Sequence, residues 1–245
     1  MKKKDNRLFT RPIVWITGAS SGIGKETAKQ FARLGCEVCV SARRKKELAD
    51  LVAEINMLGG RAYLFPLDIT IVKDVNTVFL KIKKKFGKVD VLINNAGITS
   101  FKSIVDTSIK DVEKIITTNI TAQISCTKNV LPGMIERKSG WIFNIISMVA
   151  LKTYEGSGIY TASKAGMLGF GKVLREEMRH HDIKVVNVIP GATDTEIWDS
   201  KIREKYSDRM IKAKSVAEAI LSVYQMPDDL VVDEFVLRPM QGDLR

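Results

Sequence analysis

The segment Thr17-Gly18-Ala19-Ser20-Ser21-Gly22-Ile23-Gly24 decides how this chain can fold. It follows the apolar run 13–17 and opens a segment of helical periodicity, so its glycines lie in a turn between a strand and a helix. Such a turn lets the backbone approach a pyrophosphate closely, and the helix N-terminus that follows attracts negative charge. The segment therefore predicts a dinucleotide-binding βαβ unit, although glycines needed only for positive φ angles would give the same pattern.

Short β-rich runs alternate with longer helical segments along the chain. Seven strands are predicted, at residues 13–17, 37–41, 61–66, 89–93, 141–147, 183–189 and 231–237. The predicted helices cover residues 22–34, 45–58, 72–86, 109–135, 157–179 and 215–225. Strands joined by helical crossovers form a mostly parallel sheet with helices on both faces. The expected fold class is α/β, a single doubly wound Rossmann domain over residues 12–245 that follows a basic tail, residues 1–11.

Several motifs fall at one edge of the predicted sheet. In doubly wound sheets ligands bind beyond the carboxyl ends of the strands. Gly18 follows the first predicted strand, Asn94 the fourth and Pro190-Gly191 the sixth, while Ser147 ends the fifth. Residues 192–214, after the sixth strand, are polar and poorly periodic, so we expect a mobile lid over a substrate.

Tyr160 and Lys164 are four residues apart on a predicted helix, hence on one face of it. A free tyrosine has a pKa near ~10, and a neighbouring ammonium group would stabilise its phenolate. Ser147 ends a strand aimed at the same crevice, where its hydroxyl could hold a substrate oxygen. These residue types together indicate general acid–base chemistry at a carbonyl or alcohol, with Tyr160 as the acid or base. Each residue alone could equally be an ordinary surface group.

The chain resembles the short-chain dehydrogenase/reductase family over about residues 13–237. The family's cofactor turn reads T-G-x-x-x-G-x-G and its catalytic helix carries Y-x-x-x-K, both present here at residues 17–24 and 160–164. The resemblance implies a catalytic set of Asn119, Ser147, Tyr160 and Lys164. It implies that Asn119, a poor helix former inside a predicted helix, holds a water that links Lys164 to solvent. Ile146 departs from the family, which often has a second serine there.

The same resemblance implies further contacts to a dinucleotide. Asp68, with Ile69, would lie beside adenine, residues 94–97 would line the adenosine side, and Thr195 would hold the nicotinamide carboxamide. Asp68 could instead cap a turn, and the asparagines could satisfy stray backbone groups. The full set of predicted cofactor-binding residues is Gly18, Ser20, Ser21, Gly22, Ile23, Gly24, Ser41, Arg43, Arg44, Asp68, Ile69, Asn95, Ala96, Gly97, Tyr160, Lys164, Pro190, Gly191, Thr193 and Thr195.

The end of the second predicted strand bears on which dinucleotide is bound. An NAD enzyme normally places an acidic residue there against the ribose 2′-hydroxyl. This chain has Ser41-Ala42-Arg43-Arg44 instead, and a guanidinium can hold a 2′-phosphate through paired hydrogen bonds. We therefore expect NADP(H), with Arg43 as the first choice for the phosphate and Ser41 or Arg44 assisting. The alternative is an exposed first helical turn that is merely basic.

Composition narrows the function classes. The 245 residues carry a formal net charge of +11, but the lysines at positions 81–88 do not alternate with aromatic residues as those of a single-strand binding groove would. We expect no nucleic-acid partner, no membrane span and a cytoplasmic protein. Cys36 and Cys39 lead into a strand and are expected to be buried packing residues. His180 and His181 end a helix, and no metal is expected.

The sequence thus predicts hydride transfer between NADP(H) and a small carbonyl or secondary-alcohol substrate. Two alternatives remain at this point, an NAD-linked sugar or polyol dehydrogenase and a dinucleotide-binding module without turnover. Substrate specificity is expected to lie in residues 149–157 and near Ile197, Trp198 and Ile202. By analogy with the family, a homodimer or homotetramer would form through residues 109–135 and 157–179.

Overall fold

The computed structural model of the chain describes residues 11–243, so the predicted basic tail lies outside the described residues except for Arg11. The first half contains β1 Ile13–Thr17, α1 Gly22–Arg33, β2 Glu37–Ser41, α2 Lys45–Met57, β3 Arg61–Leu64, α3 Val72–Phe86 and β4 Val91–Asn94. The second half contains α4 Ile109–Ile116, α5 Ala122–Arg137, β5 Gly140–Ile145, α6 Gly158–Met178, β6 Ile183–Pro190, β7 Thr193–Asp194, α7 Ser200–Tyr206, β8 Ile211–Lys212, α8 Ala213–Tyr224 and β9 Glu234–Leu237.

Seven strands form one sheet in the order β3-β2-β1-β4-β5-β6-β9, and every neighbouring pair is parallel. The prediction of a doubly wound α/β sheet is confirmed. Central β1 pairs on both sides, with Val14 opposite Val38 of β2 and Val91 of β4. The direction of winding reverses between β1 and β4, which opens a crevice at their carboxyl ends.

Helices cover both faces of the sheet because the central strands are apolar on both sides. All five residues of β1 are buried, and their side chains alternate between two cores. Val14 and Ile16 pack in one core with residues of α1, α2 and α8. Ile13 and Trp15 pack in the other with residues of α3, α5 and α6. This rigid layer holds the loops at the carboxyl edge in place.

Three predicted segments differ in the structure. The helix expected over 109–135 consists of α4 and α5 joined by one π-helical turn, Thr117–Thr121. The expected lid, 192–214, contains regular structure, because α7 lies between β7 and β8 and these two strands pair with each other. Periodicity missed these elements because two-residue strands and a seven-residue helix are too short to show it. The last strand begins at Glu234 rather than at 231.

Cys36 and Cys39 are packing residues, as predicted. Cys36, Cys39 and Cys126 are free and buried, and burial raises the pKa of the Cys36 thiol to about 12. His180 and His181 lie in a 3-10 turn, Arg179–His181, after α6. Within residues 11–243, no three His, Cys, Asp or Glu side chains are grouped as a metal ion would require. Across the same residues, every helix is too short or too polar to cross a bilayer.

Candidate active site

Two clefts lie side by side at the carboxyl edge of the sheet. The first has a volume of about 520 Å³ and follows the ends of β1, β2 and β4. The second has a volume of about 400 Å³ and lies beyond β5 and β6, next to α7. Thr99, Thr195 and Ile197 line both clefts. The Thr99 hydroxyl is buried and finds no hydrogen-bond partner among the described residues, so the junction offers a polar atom to a bound molecule.

The turn after β1 requires glycine for two physical reasons. Gly18 and Gly22 have φ angles of 65° and 55°, in the left-handed region that side chains rarely adopt. A Cβ on Gly24 would lie 2.7 Å from the Gly18 carbonyl oxygen and would collide with Asn95. The glycines therefore serve both the turn and the close packing of α1 against it. This backbone is the cradle that a dinucleotide pyrophosphate needs.

Asn95 and Thr17 brace this cradle. The Asn95 amide donates to the carbonyl oxygens of Thr17 and Gly18 at 2.9 and 3.1 Å. The Thr17 hydroxyl accepts from the backbone nitrogens of Asn95 and Ala96, both at 3.1 Å. Thr17 was not among the predicted site residues. Its bracing role depends on the folded chain, which brings the residues after β4 next to the turn. Asn95 therefore holds the turn and also lines the first cleft.

Most predicted cofactor residues line the first cleft, namely Gly18, Ser20, Ser21, Gly22, Ile23, Ser41, Arg43, Arg44, Asp68, Ile69, Asn95, Ala96, Gly97 and Thr195. Others line the second cleft, namely Tyr160, Pro190, Gly191 and Thr193. Gly24 lies behind the turn, and Lys164 lies beneath Gly97, where an added Cβ would be 3.5 Å from Nζ. Sequence reasoning missed several lining residues, including Ala42, Leu67, Thr70, Ile98, Thr99, Thr118 and Glu196.

Arg44 makes side-chain hydrogen bonds at the outer end of the first cleft. Its guanidinium donates to the Ser20 hydroxyl at 3.0 Å and to the Ser21 hydroxyl at 2.6 Å. Arg43, the first choice from sequence, also lines the cleft. The Ser41 hydroxyl is buried and accepts a hydrogen bond from the Trp15 indole at 3.0 Å. Guanidinium and hydroxyl donors meet here, and this set fits a phosphate group.

Asp68 forms a local turn that lines the first cleft. Its carboxylate accepts hydrogen bonds from the Thr70 backbone nitrogen at 3.0 Å and from the Thr70 hydroxyl at 2.7 Å. These bonds fix the loop after β3, so the turn-capping interpretation describes what Asp68 does within the protein. Asp68 and Ile69 still face the cleft, where both were predicted.

Tyr160 and Ser147 lie together in the second cleft. Ser147 follows β5 and caps the 3-10 turn Met148–Ala150, with its Oγ accepting from the Val149 nitrogen at 3.4 Å. Burial raises the pKa of Tyr160 to about 12, and a hydrogen bond with Ser147 opposes this rise. A neighbouring ammonium was expected to stabilise the Tyr160 phenolate and so to lower its pKa, but burial is the largest effect on this phenol in the structure. The phenol is therefore held protonated at neutral pH.

Lys164 lies one helical turn beyond Tyr160 on α6 and is buried. Its Nζ donates to the Ile145 carbonyl oxygen at 2.8 Å and lies 5.9 Å from the centre of the Tyr160 ring. Burial lowers the pKa of Lys164 to about 8, because the charged ammonium is deprived of water. The pKa of this ammonium is thus close to neutral pH. The group itself lies between the Tyr160 phenol and the first cleft.

Asn119 lies in the π turn and is buried. Its Oδ1 accepts from the Ile98 nitrogen at 2.9 Å, and its Nδ2 donates to the Ile98 oxygen at 2.9 Å and to the Ser163 hydroxyl at 3.0 Å. Ser163 in turn donates to the Tyr160 carbonyl oxygen at 2.7 Å. The side chain therefore ties the loop after β4 to the helix that carries Tyr160 and Lys164. Both of its donor hydrogens have protein partners, so its amide group does not donate to the predicted water.

The loop after β6 closes the junction of the clefts. The Thr193 hydroxyl donates to the Gly191 carbonyl oxygen at 2.9 Å, which tightens this loop. The Thr195 side chain lies against the glycine-rich turn, since a Cβ on Gly22 would be 2.9 Å from its methyl carbon. Thr195 is thus held between the turn and the second cleft, where the nicotinamide end of a dinucleotide would extend.

Apolar and aromatic side chains form most of the second cleft. Residues predicted to set specificity are present there, including Val149, Tyr154, Ile197, Trp198 and Ile202. Phe101, Tyr206 and Asp243 also line it and were missed. Their loops are distant in sequence and carry no motif, so only the folded chain brings them together.

Comparisons with known proteins agree with this geometry. The sequence profile of the family described as short chain dehydrogenase matches residues 12–206. Mouse dehydrogenase/reductase SDR family member 7 is 33% identical, with 97% of this chain and 70% of that protein covered. Sepiapterin reductase of Chlorobaculum tepidum is 30% identical, with 95% of this chain and 98% of that protein covered.

Solved structures show the same architecture. A single-residue variant of actinorhodin polyketide ketoreductase, bound to NADPH, superposes with a TM-score of 0.88 at 28% identity, covering 96% of this chain and 98% of its own. The closed form of a serine dehydrogenase complexed with NADP+ gives a TM-score of 0.88 at 28% identity, covering 95% and 96%. With the profile match, the glycine-rich turn and the Tyr160–Lys164 pair all in agreement, this chain belongs to the short-chain dehydrogenase/reductase family.

Proposed function

We propose that this protein is an NADP(H)-dependent oxidoreductase that interconverts a carbonyl group and a secondary alcohol. The observation that carries the proposal is the position of Tyr160 and Ser147. Both line an apolar cleft that shares the Thr195 wall with a dinucleotide-sized cleft. A substrate oxygen at Tyr160 therefore lies next to the place where a nicotinamide ring would end.

NADP(H) is the cofactor that the first cleft fits. Arg44, Ser20 and Ser21 form a cluster of donors at its outer end, suited to a 2′-phosphate. Related solved structures are complexes with NADP+ or NADPH, which supports the same choice over an NAD-linked enzyme. When bound, the nicotinamide supplies or accepts the hydride.

The residues of this chain handle the substrate oxygen and its proton. Ser147 donates a hydrogen bond to the carbonyl oxygen and orients it toward Tyr160. The Tyr160 phenol is protonated at neutral pH and donates this proton as negative charge develops on that oxygen. In the oxidative direction the same phenolate oxygen accepts the proton from the alcohol.

Lys164 and Asn119 support Tyr160. The Lys164 ammonium stabilises the phenolate that remains after proton donation, and it also reaches toward Gly97 in the first cleft, where it would hold the nicotinamide ribose. Asn119 positions α6 through Ser163 and fixes the loop at Ile98. A module without turnover would not require this buried phenol and ammonium.

The test is NADPH oxidation, followed by absorbance, over a panel of ketones, oxoacyl thioesters and quinones. Tyr160→Phe removes the proton donor while keeping the ring, so kcat should fall by about 10²- to 10⁴-fold with NADPH affinity unchanged. Turnover equal to that of the wild type in Tyr160→Phe would exclude the mechanism.

Two further features belong to the proposal. We place the protein in the cytoplasm, in agreement with its free, buried cysteines.

We also propose a homodimer or homotetramer formed through α4, α5 and α6. The exposed side of α6 carries small residues, Ala162, Ala165 and Gly169, which would let a second helix approach closely.

A further inference from the structure

Resting on the proposed function, we infer that the substrate is a compact, uncharged ketone that carries an aromatic ring. The ring would lie against the stacked rings of Phe101 and Trp198, which we call the aromatic wall. The carbonyl oxygen would lie at Tyr160 and Ser147, in the same cleft.

The aromatic wall joins two loops across the second cleft. Phe101 lies in the loop after β4, and Trp198 lies between β7 and α7. Their ring centres are 5.7 Å apart and their planes differ by 11°, so the rings are stacked. Phe101 also meets the Tyr160 ring edge-on, with centres 6.2 Å apart. The wall therefore stands directly beside the reactive phenol.

A hydrogen bond holds the wall in its orientation. The Trp198 indole nitrogen donates to the Thr193 carbonyl oxygen at 2.9 Å, which fixes the plane of the larger ring. Flat aromatic surfaces prefer other rings at centre distances of about 4.5–7 Å, and this preference exceeds what buried area alone provides. A planar substituent thus gains contacts along this wall that a puckered ring of the same size does not.

The remaining lining favours uncharged substrates with few hydroxyl groups. Among the described lining residues, Asp243 is the one with a charged side chain. Lys152 and Arg238 pair with its carboxylate at 2.7 and 3.1 Å, and the hydrogen bond from Lys152 is the largest of the effects that lower the pKa of Asp243. Its charge is therefore compensated by the protein. Ile146, Val149 and Ile202 belong to the apolar majority of this lining, so a sugar with many hydroxyls would leave several of them unpaired even beside the hydroxyls of Thr99 and Tyr154.

The cleft size restricts the substrate further. A volume of about 400 Å³ is near the lower end of the range for ligand pockets, about 300–1,000 Å³. This space suits one ring and a short chain that bears the carbonyl.

The experiment compares 4-phenyl-2-butanone with 4-cyclohexyl-2-butanone, using NADPH and full-length protein. Two methylene groups separate ring and carbonyl in both compounds, so the carbonyl reactivity is matched. We expect kcat/KM to be about three- to tenfold higher for the phenyl compound, a ratio typical of one aromatic contact. Acetoacetyl thioester serves as a third, non-aromatic probe.

Substitutions in the aromatic wall test whether it causes the preference for the phenyl ketone. Trp198→Leu and Phe101→Leu should bring the phenyl-to-cyclohexyl ratio within twofold of one while both ketones are still reduced. Val105→Ala is the matched control, because Val105 lies in the same loop, is 95% exposed and does not line the cleft. Its ratio should equal that of the wild type.

Failure of the inference is distinguishable from failure of the proposed function. Reduction of both ketones by the wild type at equal kcat/KM, or of the thioester alone, would overturn the aromatic-ketone inference and leave the oxidoreductase function intact. An unchanged ratio in both leucine variants would also overturn it. No NADPH oxidation with any of the three probes would count against the proposed function, and the inference would fall with it.

Discussion

At the scale of single residues, burial governs the pKa values of the Tyr160 phenol and the Lys164 ammonium. It raises the pKa of Tyr160 to about 12 and lowers the pKa of Lys164 to about 8. The opposite directions have one cause, because a dry environment penalises whichever form of a group is charged. The Tyr160 phenol is therefore protonated at neutral pH, and the Lys164 ammonium beside it loses its proton near pH 8.

Lys164 should leave a signature in the pH dependence of stability. Its native pKa of about 8 lies below the value of 10.5 for free lysine, so between these values the unfolded chain binds more protons. Stability must then rise with pH in that window, relative to a variant without the amine. From about pH 8 to 10.5, wild type should gain about 3 kcal/mol over Lys164→Met, measured by urea unfolding. A stability difference that stays constant over this range would contradict the buried ammonium.

Arg44 should decide cofactor preference. Arg44→Leu removes charge-assisted hydrogen bonds to a 2′-phosphate, each worth about 1.5–3 kcal/mol, so NADPH should bind about 10- to 150-fold more weakly. NADH affinity should not change, because NADH lacks that phosphate. Titration calorimetry with both cofactors measures the effect, and Lys45→Leu, one residue away and outside the cleft, is the control. If NADPH affinity fell only in Arg43→Leu and not in Arg44→Leu, the 2′-phosphate contact would have to be assigned to Arg43.

At the scale of elements, the π turn between α4 and α5 is the least regular part of the site. Sequence periodicity predicted one helix there, since a π turn adds a residue without interrupting the run of helix-forming residues. Asn119 alone signalled a local reason for irregularity. The structure supplies that reason, because the turn aims the Asn119 amide at the Ile98 backbone and at Ser163.

Removing this amide should weaken the fold and the site together. Asn119→Ala leaves the half-buried backbone N–H and C=O of Ile98 without this partner and removes one of the two hydrogen bonds of the buried Ser163 hydroxyl, so the free energy of unfolding should fall by about 2–4 kcal/mol. Asn129→Ala is the control on α5, where the Asn129 side chain makes one half-buried bond to the Ser125 carbonyl oxygen. Denaturant unfolding should show a loss below about 1 kcal/mol for that control. Equal losses in both variants would contradict a special role for the π turn.

At the scale of the whole molecule, a buried row of asparagines ties the sheet together behind the site. Asn94, Asn144 and Asn187 are in register on β4, β5 and β6, and each side chain bonds to the next at 3.0 and 3.2 Å. Gly171 of α6 packs over this row, where a Cβ would collide with Asn187. The row fixes α6, and with it Tyr160, relative to the strands that end at the clefts.

The proposed homo-oligomer can be tested through α6. Gly169 has open space around it, so Gly169→Glu should leave the protomer folded and place a charge in the helix contact. Sedimentation velocity should show the wild type as a dimer or tetramer and the variant as a monomer. Lys46→Glu, an exposed change on α2, should keep the wild-type assembly. A monomeric wild type would rule out the assembly.

The fold class, the parallel sheet, the glycine-rich turn and the Tyr160–Lys164 pair could be predicted from local patterns in the chain, whereas the roles of Asn119 and Thr195 were implied by the family resemblance. Alternating periodicity and the glycine-rich turn are local properties, and the Tyr160–Lys164 spacing follows from helix geometry alone. The surroundings of those residues emerged only on folding. Burial set the pKa values of Tyr160 and Lys164, and proximity brought Arg44 to the turn and Phe101 to Trp198. Desolvation and contacts between distant loops depend on where the whole chain packs, and no short stretch of sequence encodes them.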